Sequence, residues 1–167
     1  WDTTASISAG LLGLMLSAAT SVRSLSLGGN NIGDQRAIAL AAILNKTEIT
    51  NLNLGGNYIQ AEGATALAAI LNETKISDLN LVSNALCGID EFGDSTYTAE
   101  GITKLCEGLK GSAVTSLSLG DNYIRDEGAT ALAAILNETK ITNLDLGYNE
   151  IGDEGASALT AVLKETM

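Results

Sequence analysis

Residues 51–77, NLNLGGNYIQAEGATALAAILNETKIS, and residues 116–142, SLSLGDNYIRDEGATALAAILNETKIT, are identical at 21 of 27 positions. Self-similarity at such a period means a stack of like supersecondary units, none of which can bury its apolar face alone. The frame recurs at Leu25/Leu27/Asn30/Ile32, Leu52/Leu54/Asn57/Ile59, Leu79/Leu81/Asn84/Leu86, Leu117/Leu119/Asn122/Ile124 and Leu144/Leu146/Asn149/Ile151. Units step by 27 residues, except that Leu79 to Leu117 spans 38, so the third unit carries an 11-residue insertion at about 87–97. Repeats are expected to start near 22, 49, 76, 114 and 141 in a single domain over 1–167, with 1–20 as an N-terminal partial repeat or capping helix.

Within a unit the L-x-L alternation has period two, which suits a short strand with its leucines on the buried face. The Asn that follows has a short amide able to bond the backbone of the bending chain, so stacked Asn residues are expected to form a structural ladder. Downstream, E-G-A-x-A-L-A-x-x-L places Ala64, Leu67 and Leu71, or Ala129, Leu132 and Leu136, on one helical face. Asn-x-Thr then closes the helix.

L-x-L-x-x-N-x-I followed by E-G-A-x-A-L-A-x-x-L resembles the ribonuclease-inhibitor-like class of leucine-rich repeats over about residues 20–167. The regular 27-residue units are also similar to tandem arrays of microalgae and bacteria. The resemblance implies an α/β solenoid, a horseshoe with parallel strands on the concave side and helices on the convex side. Both ends depart from the pattern: no L-x-L precedes Val22, and the sequence stops at Met167 inside or just after the last helix. Solenoids need polar caps, so either the array is part of a longer one or a partner covers an end.

The net charge of −11 at pH 7 argues against nucleic acid or an anionic membrane as partner, since both would be repelled. The charge is uneven: residues 1–84 carry 6 acids and 4 bases, residues 85–167 carry 14 acids and 5 bases. A basic patch on a partner would dock on the C-terminal half. The apolar stretch Ile7 to Ala19 has no basic residues ahead of it and is too short to span a bilayer, so it reads as a buried helix and no membrane insertion is expected. Nothing in the sequence assigns a compartment.

The chain has no histidine, the commonest general base and metal ligand, and no G-x-S-x-G, phosphate loop or Cys-x-x-Cys. An enzyme is not expected, nor a cofactor. Cys87 and Cys106 read as two buried thiols within the enlarged unit, with a single bridge as the alternative. Asp90, Glu91 and Asp94, beside Ser95 and Thr96, form the densest acidic cluster; their spacing is not that of an EF-hand, and a solvated loop stands against hard-oxygen Ca²⁺ ligation. Asp126/Glu127 and Asp153/Glu154, with Glu62 and Glu100 in the equivalent place, are expected just before each helix, where the N-terminal dipole favours negative charge. Asn45-Lys46-Thr47, Asn72-Glu73-Thr74 and Asn137-Glu138-Thr139 have the form of glycosylation sequons but are copies of one helix-end position.

The surface expected to bind is the concave face, about 24 Å across at a strand spacing of about 4.8 Å. Its outward columns are Ser24, Asn51, Asp78, Ser116, Asn143 and then Ser26, Asn53, Asn80, Ser118, Asp145. Gly28, Gly55, Gly120 and Gly147 leave the next column bare, interrupted by Val82, and the rim adds Asp121 and Tyr148. Phe92 and Tyr97 of the insertion are the other partner-binding candidates. The function expected is a non-catalytic protein–protein interaction scaffold, an accessory subunit of a larger assembly. The alternatives are a structural segment of a longer array and an ion-binding module using the acidic insertion. Inhibition of ribonucleases follows from the family name only.

Overall fold

The computed structural model describes residues 21–89 and 96–165; the expectations placed on 1–20 and on Asp90, Glu91, Phe92 and Asp94 lie outside the described residues. Short strands alternate with helices in the order β1 (Ser24–Ser26), α1 (Gly33–Leu44), β2 (Asn51–Asn53), α2 (Ala61–Leu71), β3 (Asp78–Asn80), α3 (Glu100–Leu109), β4 (Ser116–Ser118), α4 (Arg125–Ile135), β5 (Asn143–Asp145) and α5 (Asp153–Glu165). The strands form one parallel sheet in chain order, with Leu25, Leu52, Leu79, Leu117 and Leu144 side by side. Neighbouring strands lie about 4.8 Å apart and neighbouring helices about 8–10 Å. Joining the two layers bends the stack with the sheet inside.

The repeated apolar positions fill the space between layers. Leu52, Leu54, Leu79, Leu81, Leu117 and Leu119 are buried, and so are Ala64, Leu67, Leu71, Ala129 and Leu132 from the helices. Leu136 departs from its expected place on that stripe. A 3₁₀ turn over Leu136–Glu138 ends α4, and the tighter winding leaves Leu136 half-buried while Ile135 turns inward. In the fifth unit Leu144, Leu146, Ile151 and Leu159 are only half-buried, because no further unit covers them among the described residues.

The Asn residues work as expected. Asn57, Asn84, Asn122 and Asn149 are buried. Asn57 Nδ2 donates to the carbonyls of Leu54 in its own turn (2.9 Å) and Leu27 in the preceding unit (2.9 Å). Its Oδ1 accepts from the N–H groups of Asn30 (2.9 Å) and Ile32 (3.3 Å). The ladder therefore runs side chain to backbone and ties each unit to the one before.

Two further devices lock unit to unit. Asp34 Oδ1 accepts from the N–H groups of Gln60 and Gly63, both at 2.8 Å, at the start of α2. Asp126 Oδ1 does the same for Gly152 (2.7 Å) and Gly155 (2.9 Å) at the start of α5. These two helices are thus capped by a carboxylate from the preceding unit, satisfying N–H groups that the helix itself cannot. The acidic residues Glu62, Glu100, Asp126, Glu127, Asp153 and Glu154 lie within the first turn of their helices rather than ahead of it.

At the other helix ends the hydroxyls of Thr47, Thr74 and Thr139 donate to the carbonyls of Leu44 (2.7 Å), Leu71 (2.9 Å) and Leu136 (2.8 Å). The Asn-x-Thr triplets thus have a structural use that explains their repetition.

The insertion leaves the repeat frame at a narrow neck, where the Thr98 N–H donates to the Cys87 carbonyl at 2.9 Å. Helix α3 then packs unusually close to its neighbours. A Cβ on Gly101 would lie 2.2 Å from the Leu86 carbonyl oxygen, and one on Gly108 would lie 2.3 Å from that of Ala68. Cys87 and Cys106 are free, buried thiols in this unit.

Candidate interaction surface

The floor of the sheet is polar and partly committed to its own turns. Asn53 Oδ1 accepts from the Gly55 N–H (3.0 Å), Asn80 Oδ1 from Val82 (2.9 Å) and Asp145 Oδ1 from Gly147 (2.9 Å). These are turn-forming contacts to the residue two positions on. Ser26 lies at 3.3 Å from Asn53 Nδ2, and Asn51 accepts from the Thr50 hydroxyl at 2.8 Å. Asn51 and Asn143 are exposed, whereas Asp78, Asn80, Ser116 and Ser118 are half-buried among neighbouring strands. The structure therefore brings the floor candidates together in two columns, but three of the five residues of the second, Asn53, Asn80 and Asp145, have a fold-stabilising role that the sequence columns alone do not reveal.

The rim that follows the strands carries stronger features. Its position three residues past each strand has left-handed backbone in all five units: Gly29, Gly56, Ser83, Asp121 and Tyr148, with φ between 53° and 71°. Asn31, Tyr58, Tyr123 and Glu150, two residues further on, repeat that conformation with φ of 50–54°. A side chain in this region costs about 1–2 kcal/mol relative to glycine, somewhat less for Asn and Asp. Units three to five nevertheless place Ser83, Asp121 and Tyr148 where the first two have glycine. Tyr148 is 91% exposed and Tyr58 45%.

Across the second, third and fourth units the rim opens into a groove of about 150 Å³. Tyr58 of the second unit and Tyr123 of the fourth line it together with Gly56, Ser83, Asn84, Ala85, Ile89 and Asp121. The groove exists because Ala85 occupies, in the third unit, the place that Tyr58 and Tyr123 hold in its neighbours. Sequence columns through the strands miss it, although Tyr58, Ala85 and Tyr123 align in the repeat frame.

Tyr97, the described aromatic of the insertion, is half-buried against the core. Its hydroxyl donates to the Ile124 carbonyl at 3.0 Å, and the Arg125 guanidinium sits 4.8 Å from its ring centre. Burial foremost pushes its phenol up to about 12. Tyr97 thus fastens the end of the insertion to the fourth unit.

Burial raises both Cys87 and Cys106 thiols to about 12, which suppresses the reactive thiolate. Among the described residues no three of His, Cys, Asp and Glu are grouped so as to hold a metal ion. No described helix is long and apolar enough to cross a membrane.

A family model described as "Leucine Rich repeat" matches residues 18–41, 46–68, 113–133 and 137–159, together more than half of the chain. No curated protein sequence matches. Among solved structures, leiomodin-1 Actin-Binding Site 2 is similar with a TM-score of 0.74 at 17% identity, covering 96% of this chain and 90% of that one. The tropomodulin C-terminal domain of Caenorhabditis elegans gives 0.70 at 13% identity, covering 93% and 91%. The in-register parallel strands, the buried L-x-L leucines and the repeated sequence matches agree that the chain belongs to the leucine-rich-repeat family.

Proposed function

We propose that this chain is a non-catalytic protein–protein interaction scaffold, an accessory subunit docked in a larger assembly, that binds its partner with the sheet floor and the rim beside it. The observation that carries this is the rim itself: tyrosine and aspartate side chains are retained at left-handed positions where glycine or asparagine would be cheaper. Tyrosine is enriched among the residues that dominate interface energies. On the floor the proposed contacts are Asn51, Asn53, Asp78, Asn80, Ser116, Ser118, Asn143 and Asp145, and on the rim Asp121 and Tyr148. Phe92 and Tyr97 belong to the same proposal through the insertion. The name of one similar structure refers to an actin-binding site, and at 17% identity it supports a shared scaffold without naming this chain's partner.

The test is to isolate the protein gently from its source and determine its native mass, with mass spectrometry of what co-purifies. Stoichiometric partners released by a Tyr148→Ala, Asp121→Ala variant would support the proposal. A lone species, or partners indifferent to that variant and to floor substitutions, would overturn it. A structural segment of a longer array is the second reading, supported by the half-buried Leu144, Leu146 and Ile151 on the outer side of the fifth unit. Further in-frame repeats in the full transcript would favour it.

A further inference from the structure

We infer that the groove between Tyr58 and Tyr123 is a socket for a single arginine side chain from a basic segment of the protein partner. This rests on the proposed scaffold role and names the chemistry that its rim recognises. At about 150 Å³ the groove is well below the 300–1,000 Å³ typical of small-molecule pockets. One extended side chain fits that scale.

The walls select its chemistry. Two strand spacings separate the second and fourth units, so the backbones that carry the two tyrosines stand on the order of 10 Å apart. Both tyrosines line the groove, so a planar cation seated in it meets aromatic side chains from two units, the setting of a cation–π contact at about 6 Å or less. Asp121, at the lip, is exposed, and its carboxylate has no hydrogen-bond or ion-pair partner among the described residues. Guanidinium is planar, stacks on aromatic faces and meets a carboxylate with two parallel N–H donors, whereas ammonium is a more strongly hydrated point charge. Ile89 offers an apolar surface to the methylene stem. The molecule already uses the same pairing once, with the Arg125 guanidinium over Tyr97 at 4.8 Å. The net charge of −11 attracts a basic segment to the chain as a whole, and Asp121 is the charged residue of the groove.

The experiment is an NMR titration of the whole chain with Nα-acetyl-arginine methylamide, with the lysine and the neutral citrulline analogues as the other arms. The arginine probe is expected to move the resonances of Tyr58, Ser83, Asp121 and Tyr123 on one saturable curve. Citrulline should leave them in place, and lysine should bind more weakly. Asp121→Asn should weaken the arginine probe by roughly tenfold, the loss of one charge-assisted contact. That variant keeps the fold, because Asn tolerates left-handed backbone.

Equal shifts from citrulline or lysine would overturn the guanidinium assignment. So would shifts spread over the acidic helix starts and unchanged by Asp121→Asn, which would mark general charge attraction. A partner that co-purifies and binds Asp121→Asn as tightly as the parent would overturn the socket while leaving the scaffold proposal standing.

Discussion

Replacing Asn84 with alanine tests how the units are joined. Its Oδ1 accepts from the buried N–H groups of Asn57 (3.2 Å) and Ile59 (2.9 Å). Its Nδ2 donates to the carbonyls of Leu54 (3.0 Å), Leu81 (3.0 Å) and Val82 (3.3 Å). Those carbonyls keep other donors: Asn57 Nδ2 for Leu54, Asn122 Nδ2 for Leu81 and the Gly56 N–H for Val82. The two N–H groups lose their acceptor. An unsatisfied buried donor costs about 1–3 kcal/mol, so the pair predicts a loss of about 2–4 kcal/mol after some relaxation. With a urea m-value of about 2 kcal/mol/M, the unfolding midpoint should fall by roughly 1–2 M, followed by circular dichroism. Asn143→Ala, an exposed polar truncation on the floor, should stay within about 0.5 kcal/mol of the parent. A loss below about 0.5 kcal/mol for Asn84→Ala would refute the claim that these amides hold the stack together.

Three further outcomes are expected. Gly108→Ala should destabilise by about 1–3 kcal/mol, because its Cβ would lie 2.3 Å from the Ala68 carbonyl oxygen and push α3 from α2; an unhindered Gly→Ala change inside a helix would instead stabilise by up to about 1 kcal/mol, and urea unfolding tells the two apart. Tyr148→Asn should raise stability by about 0.5–1 kcal/mol by relieving left-handed strain, measured by thermal unfolding, while weakening partner capture. At pH 8 the thiols of Cys87 and Cys106, held at about 12 by burial, are almost wholly protonated. An Ellman assay should find them at least about 100-fold slower in the native protein than in urea.

Much of the fold is legible in the sequence because the repeat writes it five times. Leu52 and Leu54 share a buried face by the period of a strand, and Ala64, Leu67 and Leu71 share one by the period of a helix, so each is readable within a single unit. What joins the units is not. Asp34 caps α2 and Asp126 caps α5 across 26–29 residues. Equivalent positions Ala61 and Ala99 have no carboxylate to repeat the signal. Leu136 fails for a related reason: the register of a helix end depends on the winding of its last turn, which side-chain periodicity does not encode.

The candidate surface divides along the same line. The floor columns follow from alternation along each strand, which is why Asn51, Asp78 and Asn143 align as expected. That Asn53, Asn80 and Asp145 turn an oxygen back to their own loops depends on backbone geometry past the strand. The groove depends on a residue that is small, Ala85, between two that are large. Comparing units at that position, rather than seeking reactive groups, would have disclosed it.

The most direct test of the interaction surface is hydrogen–deuterium exchange of the isolated complex against the free chain. Protection on binding is predicted in peptides covering residues 56–58, 83–85, 121–123 and 145–148, with the helices unchanged. Protection confined to the helical face would contradict it and place the partner on the convex side.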